Sequence, residues 1–361
     1  MKAIILCAGK GTRLYPVTLT MPKPLVPVAN KPLLRYAIET LVGMGATEIG
    51  LVVNSLDSPI REQFGDGQET VGVPLQYIAQ TDPRGLAHAV KLAQPFIGDE
   101  PFIMYLGDNI FQDPMRALYD RFQESGASVA LALTEVPNPQ AFGIAELENG
   151  TIKRLVEKPK DPPSNLAIAG VYLFQPEIFE AIDHIKPSWR NELEITDAIQ
   201  YLLERGRKVI PYIVEGWWVD AGNANSIVLA NQLVLEEVAF SPPPDSDSDP
   251  RLQGDSHVSH RVLLGENVQI VDSVVRGPAI IGDNVTIRNT YIGPYTSIGH
   301  DVQIESSEIE HSIVMNHCTI RNVRGRIDSS VLANNVQVVR TNAKPKTHRF
   351  VLAANSVVQL P

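Results

Sequence analysis

Short apolar runs alternate with amphipathic stretches along the first two thirds of the chain. Ala3–Leu6, Ile49–Val53, Leu75–Ile78, Phe102–Leu106 and Ser128–Leu133 are compact, mostly aliphatic runs of strand length. Between them, apolar residues recur at helical spacing near Leu33–Met44, Ser58–Phe64, Ala87–Ala93 and Met115–Glu124. This order predicts an α/β fold, a Rossmann-like, mainly parallel sheet with helices on both faces. In such sheets ligands bind beyond the carboxyl ends of the strands. The turns after Leu6 and after Leu106 both fall on that edge.

The pattern changes after Phe240. Ser241–Pro250 is acidic and proline-rich with no aliphatic or aromatic residue, so 241–256 reads as a linker between a domain at 1–240 and another at 257–361. In the second, Leu264-Gly265-x-x-Val268-x-Ile270 recurs as Ile281-Gly282-x-x-Val285-x-Ile287 and Ile298-Gly299-x-x-Val302-x-Ile304, seventeen residues apart each time. Val275, Ile292 and Ile309 repeat in phase, and looser copies follow at Val314, Cys318 and Ile320 and at Leu332, Val336 and Val338. Three inward aliphatic corners per coil define a parallel β-helix, whose stacked coils bury a core that no single coil could. The pattern resembles the left-handed β-helix of hexapeptide-repeat proteins.

Charge narrows the partners. A net charge of −10 argues against nucleic acid and against an anionic membrane surface, and obliges an anionic substrate to find a local positive site. Two cysteines, Cys7 and Cys318, fall in different domains and form no disulfide or zinc spacing. Cys7 lies on a glycine loop, where the choice is between a nucleophile and a small buried filler, and filler is the better fit. The N-terminus lacks a signal-peptide pattern and no run reaches membrane-spanning length, so a cytoplasmic place is expected.

Several segments carry chemistry. In Leu6-Cys7-Ala8-Gly9-Lys10-Gly11-Thr12-Arg13-Leu14, two glycines let backbone N–H groups face phosphate oxygens. Lys10, Arg13 and Lys23 add positive charge. Leu14 stands where a dinucleotide fingerprint needs its third glycine, and Gly11 where a Walker loop needs Ser or Thr. Gly107-Asp108-Asn109 and Trp218-Val219-Asp220-Ala221-Gly222 each place a carboxylate in a glycine-flanked turn, suited to a hard divalent cation. Gln80-Thr81-Asp82-Pro83-Arg84-Gly85-Leu86-Ala87 is a loop entering a helix, and its Gln amide can read a pyrimidine edge.

Taken together these strings resemble the sugar-phosphate nucleotidylyltransferases, and within them the long form of the glucose-1-phosphate thymidylyltransferases, which carries a C-terminal β-helix. The likeness covers essentially the whole chain. It implies that Arg13 and Lys23 are catalytic and that Leu6, Ala8, Gly9, Gly11, Thr12, Gln80, Pro83, Gly85, Leu86 and Asp108 bind the nucleotide. Asp108 and Asp220 would hold Mg2+. Asn109, Gly143, Glu157, Lys158, Val171, Arg190 and Trp218 would bind the sugar phosphate, with Glu157 on hydroxyls and Lys158 and Arg190 on phosphate. Two departures stand out: Ala221 where the family has Thr, and Asn191 where it has Gly.

The expected activity is transfer of a nucleoside monophosphate from dTTP to glucose 1-phosphate, by a homo-oligomer. The alternatives are a UTP-dependent enzyme and, from another class, a non-catalytic sugar-nucleotide-binding regulator. Acyl transfer by the β-helix is disfavoured, since the coils lack a long inserted loop and His300, His311 and His317 read as surface residues. A chain ending near Phe240 is expected to keep every motif residue.

Overall fold

A computed structural model describes residues 1–238, 244, 248–340, 356 and 358. The chain divides into two units, one made of Met1–Lys10, Pro22–Leu25 and Leu33–Asp220, the other of Gly11–Met21, Val26–Pro32 and Ala221–Pro361.

The first unit is built on a nine-stranded sheet. Strand Lys2–Leu6 pairs in parallel with Glu48–Val53 on one side and Phe102–Leu106 on the other. Glu48–Val53 pairs in parallel with Leu75–Ala79. Leu166–Phe174 then runs antiparallel to Phe102–Leu106 and to Val129–Glu135, so the sheet becomes mixed beyond its parallel half. Successive residues of one strand enter opposite cores. Ile5 and Tyr105 join the cluster with Leu51 and Val171, while Ile4 and Met104 join the one with Phe102 and Phe174. Strands buried on both faces need helices over both, which is why they read as unbroken apolar runs. The helices fall at Leu33–Met44, Pro59–Phe64, Leu86–Leu92 and Arg116–Ser125, within a residue of the expected bounds. Ser58 caps the second of these by accepting the Ile60 N–H at 3.2 Å.

Leu6 lies opposite Leu106 in the parallel register. The glycine loop and the Gly107-Asp108 turn therefore leave the sheet side by side, on the edge where ligands are expected.

The second unit contains the left-handed parallel β-helix. Three parallel sheets hold its coils in register. Ile270, Ile287, Ile304, Ile320 and Val338 stack along one corner, and Val258, Val275, Ile292, Ile309 and Ile327 along the next. The third corner stacks Leu264, Ile281, Ile298, Val314 and Leu332. Turn positions Asn267 and Asn284 take left-handed φ values of 54° and 57°, which Asn tolerates because its short amide bonds locally. Each donates to the same position of the next coil, Asn267 to Asn284 and Asn284 to Asp301.

Strand pairing starts earlier than expected. Leu252–Gln253, inside the segment read as linker, already pairs with Ile270–Val271, because Leu252 supplies the first rung of an aliphatic corner. The described unit also takes in chain from the N-terminal region. Helix Ala224–Glu237, closed by a capping box between Asn223 and Ser226, carries the wholly buried Asn231. The Asn231 carbonyl oxygen accepts from the Ala29 N–H at 2.8 Å and from Ser297 Oγ at 2.7 Å, and its amide donates to the Tyr295 carbonyl at 3.0 Å. Asn30 adds a bond of 2.7 Å to the Ile298 carbonyl. The boundary expected at 240 therefore does not coincide with the division of the fold, since buried polar bonds tie 26–32 and this helix to the third coil.

Candidate active site

Two distant carboxylates meet because two short strands pair. Asn109–Phe111 and Trp218–Asp220 form an antiparallel ribbon in which Asp220 faces Asn109. Asp108 and Asp220 then approach one cation, the Lys23 ammonium, at 2.5 Å from Asp108 Oδ2 and 3.9 Å from Asp220 Oδ1. Lys23 is itself buried, on the turn Lys23–Leu25. A buried ammonium is tolerable only when paired.

Asn109 is 3% exposed and acts on its neighbours. Its amide donates to Asp108 Oδ1 at 2.8 Å, and its oxygen accepts from Trp218 Nε1 at 2.6 Å. Asn109 and Trp218, both expected on the sugar phosphate, thus also orient Asp108. Cys7 is buried, and burial, with the Asp108 charge second, pushes its thiol far up. It is a filler and no nucleophile.

The donor set fits a divalent cation. Two carboxylates already converge on one positive charge, and hard cations take oxygen ligands of this kind.

The Gln80 loop is tied to a second motif. Arg84 O accepts the Leu193 N–H at 2.7 Å, and Leu193 O accepts the Ala87 N–H at 3.0 Å. Gly85 sits between, with φ +106°, and a Cβ there would lie 2.4 Å from Leu193 O. Pro83 is exposed and Leu86 half-buried. Gln80 is 4% exposed. Its amide nitrogen lies 3.0 Å from His88 Nδ1 and donates to Gly85 O at 3.3 Å. Burial, and then the Arg84 guanidinium, hold His88 below the ordinary histidine range.

Glu157, Lys158 and Arg190 also come together. Glu157 ends the strand Thr151–Glu157 opposite Gly143. Its Oε1 lies 3.8 Å from Lys158 Nζ and 3.5 Å from Arg190 Nη1, and Oε2 accepts from Thr196 Oγ1 at 2.7 Å. Arg190 also reaches Glu192 at 2.7 Å and the buried Glu194 at 3.5 Å. Burial raises the Glu194 and Asp197 carboxyls, and the Glu157 charge adds to both. Asn191 takes φ +60°, the conformation that makes Gly usual there and Asn the best substitute. Val171 lies where the pairing of Leu166–Phe174 with its neighbour is broken between Ile168 and Tyr172.

Leu6 is half-buried, Ala8 buried beside Val52 and Ala89, and Gly9 exposed. Gly11, Thr12 and Arg13 belong to the second unit. Gly11 has φ 62° and precedes the turn Thr12–Leu14, on which Thr12 and Arg13 are exposed. Ala221 is fully buried. In the β-helix His317 is exposed and His300 and His311 are half-buried, and each sits within 3.1–3.5 Å of an Asp.

Sequence reasoning left His88 and Thr196 without roles. The spacing of His88 inside the Gln80 helix was legible. The Thr196 contact was not, since Glu157 is 39 residues away.

Comparison with known proteins identifies the family. Residues 2–237 match the nucleotidyl transferase family. The glucose-1-phosphate thymidylyltransferase of Streptomyces antibioticus is 43% identical over 366 residues, covering 100% of this chain and 99% of that one. The UTP–glucose-1-phosphate uridylyltransferase AglF of Haloferax volcanii is 38% identical over 66% of this chain and 98% of its own. A Bacillus anthracis protein solved in complex with a sucrose superposes with a TM-score of 0.62 at 36% identity, over 67% of this chain and 97% of its own. The chain belongs to the nucleotidyl transferase family, and it is an enzyme of sugar-phosphate nucleotidyl transfer. Members of the family generally use a divalent metal. No helix of the described residues is long and apolar enough to cross a membrane.

Proposed function

We propose that the enzyme transfers the thymidylyl group of dTTP to glucose 1-phosphate with Mg2+, in the cytoplasm and as a homo-oligomer. The approach of Asp108, Asp220 and Lys23 to one point carries this reading. A sugar-phosphate oxygen forms a bond to the α-phosphorus, the bond to the β-phosphate breaks, and pyrophosphate leaves. The sugar phosphate is already a nucleophile near neutral pH, so no general base is needed. Positioning two polyanions and stabilising charge supply most of the acceleration.

Asp108 and Asp220 would hold the metal, which when bound supplies positive charge against the triphosphate. Lys23 and Arg13 neutralise charge on the transferring and leaving groups, and the backbone from Leu6 to Thr12 lines the phosphates. Gln80 Oε1 accepts the imide N–H shared by thymine and uracil, and Pro83, Gly85 and Leu86 pack beside the base. Lys158 and Arg190 hold the sugar phosphate. Glu157, with the backbone of Gly143 and Val171, orients hydroxyls. Asn109 and Trp218 contribute to that pocket, and Asn109 also bonds Asp108.

UTP use is the second reading, favoured by the likeness to AglF. A hydrophobic pocket discriminates one methyl group by only about 1–3 kcal/mol. A pyrophosphate-release assay with glucose 1-phosphate and dTTP, UTP, dUTP or GTP tests the proposal. The expected order is dTTP first, UTP measurable and GTP poor, with turnover nearly lost in Asp108→Asn and Asp220→Asn. A strong preference for UTP selects the second reading, and a preference for GTP removes Gln80 from base recognition.

A further inference from the structure

We infer that Thr196 is a positioning residue for the sugar-phosphate pocket, a role that rests on the reading of Glu157 given above. Thr196 is 2% exposed. It stands in the first turn of helix Ile195–Glu204, where a hydroxyl ordinarily bonds its own backbone. Its hydroxyl instead donates to Glu157 Oε2 at 2.7 Å, a charge-assisted bond of the stronger kind.

The room for this bond is made by Gly143. A Cβ there would lie 2.9 Å from Thr196 Oγ1 and 3.0 Å from Glu157 Oε2. The glycine thus does more than admit a ligand to the backbone, since it lets a hydroxyl and a carboxylate meet behind the strand end.

The bond divides the work of the carboxylate. Oε2 is anchored to the helix, while Oε1 faces Arg190 and Lys158 at 3.5 and 3.8 Å. These are the cations assigned to the sugar phosphate. Anchoring through Oε2 leaves only Oε1 to pair with these cations, so a phosphate competes with a single carboxylate oxygen. Glu194, also against Arg190, accepts from Ser188 Oγ at 2.8 Å. Each carboxylate beside this guanidinium that comes from the sheet or from the helix start is thus restrained by a hydroxyl.

Thr196→Val keeps the shape and removes the donor, and Thr196→Ser restores the donor. The measurements are steady-state kinetics with varied glucose 1-phosphate and varied dTTP, and calorimetric binding of glucose 1-phosphate alone. Thr196→Val should raise the KM for glucose 1-phosphate about tenfold, change kcat and the dTTP KM less than threefold, and weaken sugar-phosphate binding in step. Thr196→Ser should recover most of the loss. A Thr196→Val enzyme with a lower melting temperature but an unchanged sugar-phosphate KM would show a purely structural hydroxyl and overturn the inference. If the wild-type chain shows no turnover, the proposed function fails and calorimetry alone decides the role of Thr196. Binding of glucose 1-phosphate by neither protein overturns both.

Discussion

Asp197 shows how one side chain reports the electrostatics of the pocket. It lies in the first turn of its helix, where the macrodipole favours a negative charge. Burial outweighs that help and, with the nearby Glu157 charge, raises its carboxyl above the ordinary range. A carboxyl whose folded pKa is raised contributes stability below its unfolded value, about 4, and loses it as pH rises through the folded value. Asp197→Asn removes the cost of the charge. The variant should therefore melt higher than wild type at pH 7 and equally near pH 4, as read by thermal melts across that range. A lower melting temperature at pH 7 would show that the carboxylate is held by bonds its burial does not reveal. The residue type was legible in the motif Ile195-Thr196-Asp197, but the sign of the effect was not, because it depends on Glu157 from another strand.

At the scale of elements, the Gln80 loop and the Arg190 segment act as one piece. Leu193 gives its N–H to Arg84 and takes one from Ala87, and Gly85 sits where a side chain would strike the Leu193 backbone. Gly85→Ala must distort either the left-handed φ or this backbone pair. Strain of this kind costs about 1–3 kcal/mol. The expected result is at least a tenfold fall in kcat/KM for both substrates, because the loop meant for the base and the segment meant for the sugar phosphate move together. An effect confined to the nucleotide would show that the two are uncoupled. The loop itself was visible in the string Pro83-Arg84-Gly85-Leu86. Its fastening to Leu193 was not, since a backbone-to-backbone bond leaves no mark on residue identity.

For the whole molecule, the telling element is helix Ala224–Glu237. A chain ending near Phe240 keeps every motif residue, as the sequence suggests. It also leaves the buried Asn231 without Ser297 and Tyr295, and Asn30 without Ile298. Each lost hydrogen bond gives up a net of about 0.5–1.5 kcal/mol, and at this size each kcal/mol lowers the melting temperature by roughly 2–4 °C. The truncated chain should melt well below the full one, and Asn231→Leu in the full chain should reproduce part of the drop. Circular dichroism melts of the three proteins measure this. Equal melting temperatures would mean that these bonds contribute nothing net.

The sequence by itself determined what local periodicity and side-chain chemistry can specify. Strand and helix order followed from apolar spacing, and the coil register followed from a seventeen-residue repeat that can bury its aliphatic corners in only one phase. The charged and glycine motifs marked phosphate chemistry, which needs cations and close backbone, and their resemblance to a known family implied the class of reaction. Only the tertiary structure decided which of these groups meet. The ribbon of Asn109–Phe111 with Trp218–Asp220 brings Asp220 to Asp108, the Thr196 hydroxyl finds Glu157, and Asn231 joins 26–32 to a β-helix coil. Such encounters span tens to hundreds of residues. They are fixed by strand register and buried hydrogen bonding across the fold, and no local pattern carries that information.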